Sequence, residues 1–322
     1  MHIFRPRIKI ALRTTSAIIA LAFLTNFAQA GEKVVFGTAG FLSDNSIAVK
    51  VAIDKGFYQE AGIDPEIVNF KGGAPAIQAL VGNGVQYAIT APEHVTRLRA
   101  RGVDGVVAFA LQNAQTYALL VPDASPVKTF ADLKGQRVGI TSSGSLTESL
   151  ISLQAKANNL TVGTDLEVIG AGVGAAQKAA LDTQRIAAGM FGNTDALQMV
   201  GHGYRIVYDW RVERTPALGL LAVDSWQKQH PELAKGVIQA TLKAQKLVLA
   251  DRQLAVSTLK ELFPDLSDEV IQKATDQLPK VLVASGIFDQ ADHDKLQKDL
   301  ATIEPGLKPI DYAVGNPGTY LK

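Results

Sequence analysis

Two stretches of this chain, 117–123 (YALLVPD) and 218–224 (LGLLAVD), repeat one pattern at a displacement of 101 residues. Upstream of them, 85–109 has a counterpart in 185–209, each reading as strand, loop, helix, glycine, strand. Residues 34–52 match 137–155, and 66–80 match 166–181, at nearly the same offset. Agreement in the order of elements at four successive positions predicts two lobes of like construction. Runs such as VVFG, EIVNF, VGIT and LEVIG are apolar, bounded by glycine-rich loops and followed by helical periodicity. That is the pattern of an α/β sheet with crossover helices, covered on both faces.

After residue 224 the spacing changes to threes and fours. Helices are predicted over 225–263, 267–278 and 289–303, with Pro231 in a first turn and Ser267 as an N-cap. A tail without strands of its own must pack on an existing lobe. The chain leaves the first lobe near 117–123 and returns near 218–224, so the tail is expected there. The expected division is a discontinuous first lobe, 31–118 with 222–322, and a second lobe, 119–221. Two crossings then form a hinge.

The first thirty residues have the parts of a secretory signal peptide. Arg5, Arg7, Lys9 and Arg13 form a basic region, 17–24 (AIIALAFL) a short apolar one, and AQA precedes cleavage after Ala30. The apolar run falls well short of the about 20 residues a membrane span needs. With the leader set aside, 28 basic residues face 31 acidic ones, a balance that gives nucleic acid nothing to bind. The chain has no cysteine, which excludes disulfides, thiolate metal sites, thiol nucleophiles and a lipidated cysteine. A soluble periplasmic protein is expected. The 292 residues that remain, from a chain 47% hydrophobic, suffice for two domains.

Three loops could carry chemistry. In TSSGSLTES, Ser143, Ser145 and Thr147 stand between a strand and a helix, where free N–H groups, the helix dipole and hydroxyls converge. A G-x-S-x-G elbow, a histidine base and a Gly-Lys-Ser/Thr loop are all absent there, so the alternatives are helix capping alone or capping with ligand binding. GAGVGA, with Gly172 at its centre, mimics a dinucleotide fingerprint but lacks the acid about 20 residues on. Its glycines read better as a tight turn or a close backbone approach to a ligand, and KGGAPA repeats them in the first lobe. Glu93 and His94 are adjacent and so do not share a helix face. Glu93 is either a cleft acceptor or a first-turn glutamate favoured by the dipole. The histidines at 202, 230 and 293 are scattered, and neither a metal nor any cofactor is expected.

The stretches DKGFYQEAGID, GGAPAIQALVGNGVQYAIT, LLVPDASPVKTFADLKGQRVGITSSGS and HPELAKGVIQATLKA resemble the solute-binding proteins of ABC importers. The resemblance covers nearly the whole chain after the leader and is closest to the nitrate/sulfonate/taurine group, which includes binders of thiamine-pyrimidine precursors. It implies the two-lobed type II periplasmic binding fold, a Venus flytrap that closes on a solute and delivers it to an inner-membrane permease and ATPase. Carried onto matching loops, it implies ligand contacts from Phe41, Leu42 and Ser43, from Gly73 and Ala74, from Thr90 and Glu93, and from Ser143, Ser145 and Thr147. Gly172, Met190, Phe191 and Asn193 complete the expected site, although MFGN departs from the Trp or Pro-rich segment of relatives. Phe41, Leu42, Met190 and Phe191 would offer apolar surface, which favours a small sulfonate or carboxylate with an organic part. The alternatives are a pyrimidine-type vitamin precursor held by Glu93, or a sensory binding protein without a transport role. Related enzymes depend on cysteines that this chain lacks, so a monomeric binding protein without catalytic residues is expected.

Overall fold

The computed structural model describes residue 2 and residues 31–321, so the expected leader and its cleavage point lie outside the described residues. The chain runs β1 (Glu32–Thr38), α1 (Ile47–Asp54), α2 (Phe57–Glu60), β2 (Ile63–Asn69), α3 (Gly73–Val81), β3 (Tyr87–Thr90), α4 (Glu93–Ala100) and β4 (Gly105–Ala114). There follow β5 (Ala118–Pro122), β6 (Arg137–Ile140), α5 (Leu146–Ala157), β7 (Glu167–Gly170), α6 (Ala175–Asp182), β8 (Ala188–Phe191), α7 (Asn193–Met199), β9 (Tyr204–Asp209) and β10 (Arg214–Val223). The tail comprises α8 (Asp224–Gln229), α9 (Pro231–Ala250), α10 (Arg252–Leu262), α11 (Asp268–Val281), α12 (Gln290–Ile303) and α13 (Tyr312–Gly315).

Two five-stranded sheets form, in the orders β2-β1-β3-β10-β4 and β7-β6-β8-β5-β9. These are one topology written twice: β1 and β6 each run parallel to two neighbours, while β10 and β5 each run antiparallel to theirs. The echo between 117–123 and 218–224 therefore marks equivalent strands that the lobes exchange. β5 follows β4 in sequence but enters the second sheet, and β10 follows β9 but enters the first. The crossings fall at 115–117 and 210–213. The second lies upstream of the expected boundary at 221, because β10 pairs with β4 from Arg214 onward. An apolar strand reads the same in sequence whichever sheet accepts it.

Side chains alternate between two cores, as strand pleating requires. Val106 and Ala108 of β4 join the cluster built with α1, α9, α10 and α11, whereas Val107 joins the one beneath α3 and α4. In the second lobe Leu119 and Val121 face one cluster, and Ala118 and Leu120 the other. The edge strand β2 admits Pro65, where a missing N–H costs no ladder bond on the open side. The opposite edge, β4, is capped by the tail: Val283 N–H donates to Leu111 O at 3.0 Å and Ala110 N–H to Gly286 O at 2.7 Å.

As expected, the tail packs on the first lobe, with α9 against α1 and α2 and Tyr58 Oη bonded to Thr241 Oγ1 at 2.8 Å. It also reaches further than expected. α11 packs on α7 and α12 on α5, and Lys156 Nζ donates to Thr302 O at 2.8 Å.

Candidate functional site

The carboxyl ends of the strands in both lobes face each other across the crossings, the place where open α/β sheets expose loops and helix N-termini to a ligand. A small cavity of about 30 Å³ lies there. Asn45, Gly73 and Thr90 line it from the first lobe, and Thr141, Ser145 and Thr147 from the second. Thr116 and Tyr117 of the first crossing and Leu218 of β10 close its back, and no lining residue carries a formal charge. Burial pushes the Tyr117 phenol up to about 12, with Asp195 adding to the effect, so Tyr117 is a neutral donor.

The lobes meet through hydrogen bonds around this cavity. Ser145 has the extended backbone of an N-cap, yet its hydroxyl makes no capping bond. It instead accepts from Ala74 N–H, in the first turn of α3, at 3.1 Å, and bonds Ser142 Oγ at 2.7 Å. Thr147 Oγ1 turns back to the end of β6, accepting from Thr141 N–H at 3.0 Å. Two glycines permit the approach: a Cβ at Gly72, where φ is +128°, would run into Ser142 Oγ, and one at Gly73 into Thr90 Oγ1. The first turns of α3 and α5 thus meet at one small space.

Beside the cavity stands an ionic seam. Ser149 of α5 donates to Glu93 Oε1 at 2.9 Å, and Arg97 donates to Glu93 at 2.5 Å, to Ser149 at 2.9 Å and to Glu304 at 2.6 Å. Burial works against the Arg97 charge, but the Glu93 and Glu304 carboxylates outweigh it and raise its pKa. His94 is buried next to this seam. Burial, then the Arg97 charge, lowers its pKa to about 3, and among the described residues Nε2 has no partner. On the opposite flank Asn193 Nδ2 donates to Asp44 Oδ2 at 2.8 Å and Arg211 Nη1 to Asn193 Oδ1 at 3.2 Å. Burial raises the Asp44 pKa against the opposing bond from Asn193.

Of the residues expected at the site, Gly73, Thr90, Ser145 and Thr147 line the cavity. Ala74, Glu93 and Asn193 bridge the lobes beside it, and Ser43 begins the short turn that carries Asp44. The rest fall elsewhere. Phe41 is 73% exposed, Ser143 is exposed, and Leu42 packs on the first-lobe core. Gly172 makes a positive-φ turn outside the cavity. Met190 and Phe191 are buried on opposite faces of the second sheet, because β8 is a central strand with both faces covered. The apolar lining comes from Tyr117, Leu146 and Leu218 instead. Asn45, Thr116 and Thr141 were not anticipated, and only their position at strand ends and crossings signals them.

The chain matches the family model described as NMT1/THI5 like over residues 43–255. No curated protein matches it by sequence. Among solved structures it is similar to a protein of Bordetella bronchiseptica RB50 (24% identity, 89% of this chain and 94% of that one, TM-score 0.77). It is similar also to the periplasmic aliphatic sulphonate binding protein SsuA of Escherichia coli (20%, 90% and 99%, TM-score 0.66). The periplasmic nitrate-binding protein NrtA of Synechocystis PCC 6803 is a third (17%, 88% and 84%, TM-score 0.65). With a family model matched across both lobes and two sheets of one topology, the chain belongs to the NMT1/THI5-like family and has the two-lobed fold of periplasmic binding proteins.

Proposed function

We propose that the protein is the periplasmic solute-binding component of an ABC importer, and that it captures a small sulfonate or carboxylate between its lobes. The observation that carries this reading is the meeting of the α3 and α5 N-termini across a cavity lined by hydroxyls and by no charged side chain. Helix N-termini and hydroxyls stabilise an anionic headgroup without a guanidinium fork. Tyr117, Leu146 and Leu218 give its organic part an apolar wall. The closed cavity has room for a few atoms, so lobe separation accompanies entry and exit, and the solute favours closure by touching both sides. Likeness to sulfonate- and nitrate-binding periplasmic proteins supports the location, and the resemblance to solute-binding proteins of ABC importers supports the partnership with a permease and ATPase. A pyrimidine held by Glu93 is less well supported, since Arg97 and Ser149 already occupy Oε1 of that carboxylate.

The test is a thermal-shift screen of nitrate, methanesulfonate, taurine, short carboxylates and aminopyrimidines. A solute at about a hundred times its dissociation constant adds about 2.7 kcal/mol of stability. Stabilisation by a sulfonate or carboxylate is expected. Stabilisation by nitrate alone, or by aminopyrimidines alone, would overturn the assignment.

A further inference from the structure

A second cavity, of about 580 Å³, opens between the second lobe and the turn that leads into α11. It shares no lining residue with the interlobe cavity. Its volume falls in the range of small-molecule sites. Phe191, Met199 and Tyr204 form one apolar wall and Val270 stands on the α11 side. Into this space α7 brings Asp195, and among the described residues no hydrogen bond or ion pair engages that carboxylate. Asp265, across the cavity, has no ion pair either among the described residues.

The nearby cation does not answer them. Lys178 is held by Asp182 at 2.7 Å, with its Nζ 4.9 Å from the centroid of the Tyr204 ring. His202 is the remaining titratable group on the lining. Burial, with the Asp44 charge adding, raises the Asp195 pKa to about 6, the signature of a carboxylate short of a counter-charge. An anion here would face two acids, and a neutral apolar guest would deepen the desolvation of Asp195 without pairing it. We propose that this cavity is a second binding site, for a small organic cation in which an amine or guanidinium group sits beside an apolar body. The cationic head pairs with Asp195, Asp265 adds attraction from the opposite wall, and the body lies against Phe191, Met199 and Tyr204. This site shares no lining residue with the solute cavity, so occupancy of the two is read separately.

The probe is benzylamine, titrated calorimetrically into the protein near pH 7.5, with benzyl alcohol as its neutral counterpart. Saturable binding of benzylamine is expected, with benzyl alcohol at least tenfold weaker. Asp195→Asn should weaken benzylamine at least tenfold and Asp265→Asn two- to threefold. Absence of saturable benzylamine binding overturns the proposal. So does equal binding of the alcohol, which needs no variant to fold, or an Asp195→Asn variant that keeps the parent's affinity for benzylamine.

Discussion

Replacing Ser145 by alanine separates two roles that sequence alone leaves entangled. The hydroxyl is buried, makes no capping bond to α5 and accepts from Ala74 N–H across the lobes. Its loss therefore acts on the closed state. A neutral hydrogen bond of this kind contributes about 0.5–1.5 kcal/mol, and one to a charged partner about 1.5–3. If closure alone suffers, affinity for the solute found by the screen should fall by about 2- to 10-fold. If the hydroxyl also donates to an anionic headgroup, the fall should be about 10- to 150-fold, because each 1.4 kcal/mol is a factor of ten. Solute-free stability should change by less than the about 0.5–2 kcal/mol that loss of a true cap costs. Calorimetric titration and urea unfolding of the same variant read the two quantities. A variant that unfolds more easily by a full cap's worth yet binds with unchanged affinity would refute the reasoning and return Ser145 to a capping role.

The Glu93–Arg97 pair is buried enough that removing one partner strands the other, with side-chain exposures of 2% and 15%. Arg97→Met should cost about 3–5 kcal/mol in urea unfolding, with much of it recovered in the Glu93→Gln, Arg97→Met double variant; a single variant within 1 kcal/mol of the parent would be inconsistent with this. His94 titrates near 3 in the fold, lowered first by burial and then by Arg97, against an ordinary value of 6.5. Between those values only the unfolded chain takes the proton, so stability present above pH 6.5 should be lost as pH falls, by up to about 1.4 kcal/mol per unit. Relative to the parent, His94→Gln should flatten the curve between pH 6.5 and 4, and an unchanged slope would show that the imidazole does not set it.

The duplication, the apolar strands and the loops that begin helices were legible because each is a local pattern. A strand such as YAIT, buried at every position, declares a central place in a sheet within four residues. The offset of 101 residues between 117–123 and 218–224 pointed to equivalent strands before any pairing was known. Which sheet takes each strand is a different kind of question. It depends on free sheet edges, and the exchange of β5 and β10 moved the second crossing to 210–213. The same limit governs the site. Ser145 and Thr147 were accessible to sequence reasoning because a helix start is marked by residue type, whereas Gly73 and Thr90 were expected only through the family resemblance. Thr116 and Tyr117 line the cavity only because the crossing passes behind it, and Arg97 meets Glu304 across 207 residues of chain. Phe41 and Met190 have the composition expected of a ligand wall, but one lies in solvent and the other in a core. The sequence by itself determined two α/β lobes, a helical tail and the loops that could face a ligand, since periodicity and capping act over a few residues. Only the tertiary structure decided which side chains meet between the lobes, because those contacts join residues whose order along the chain carries no record of their nearness.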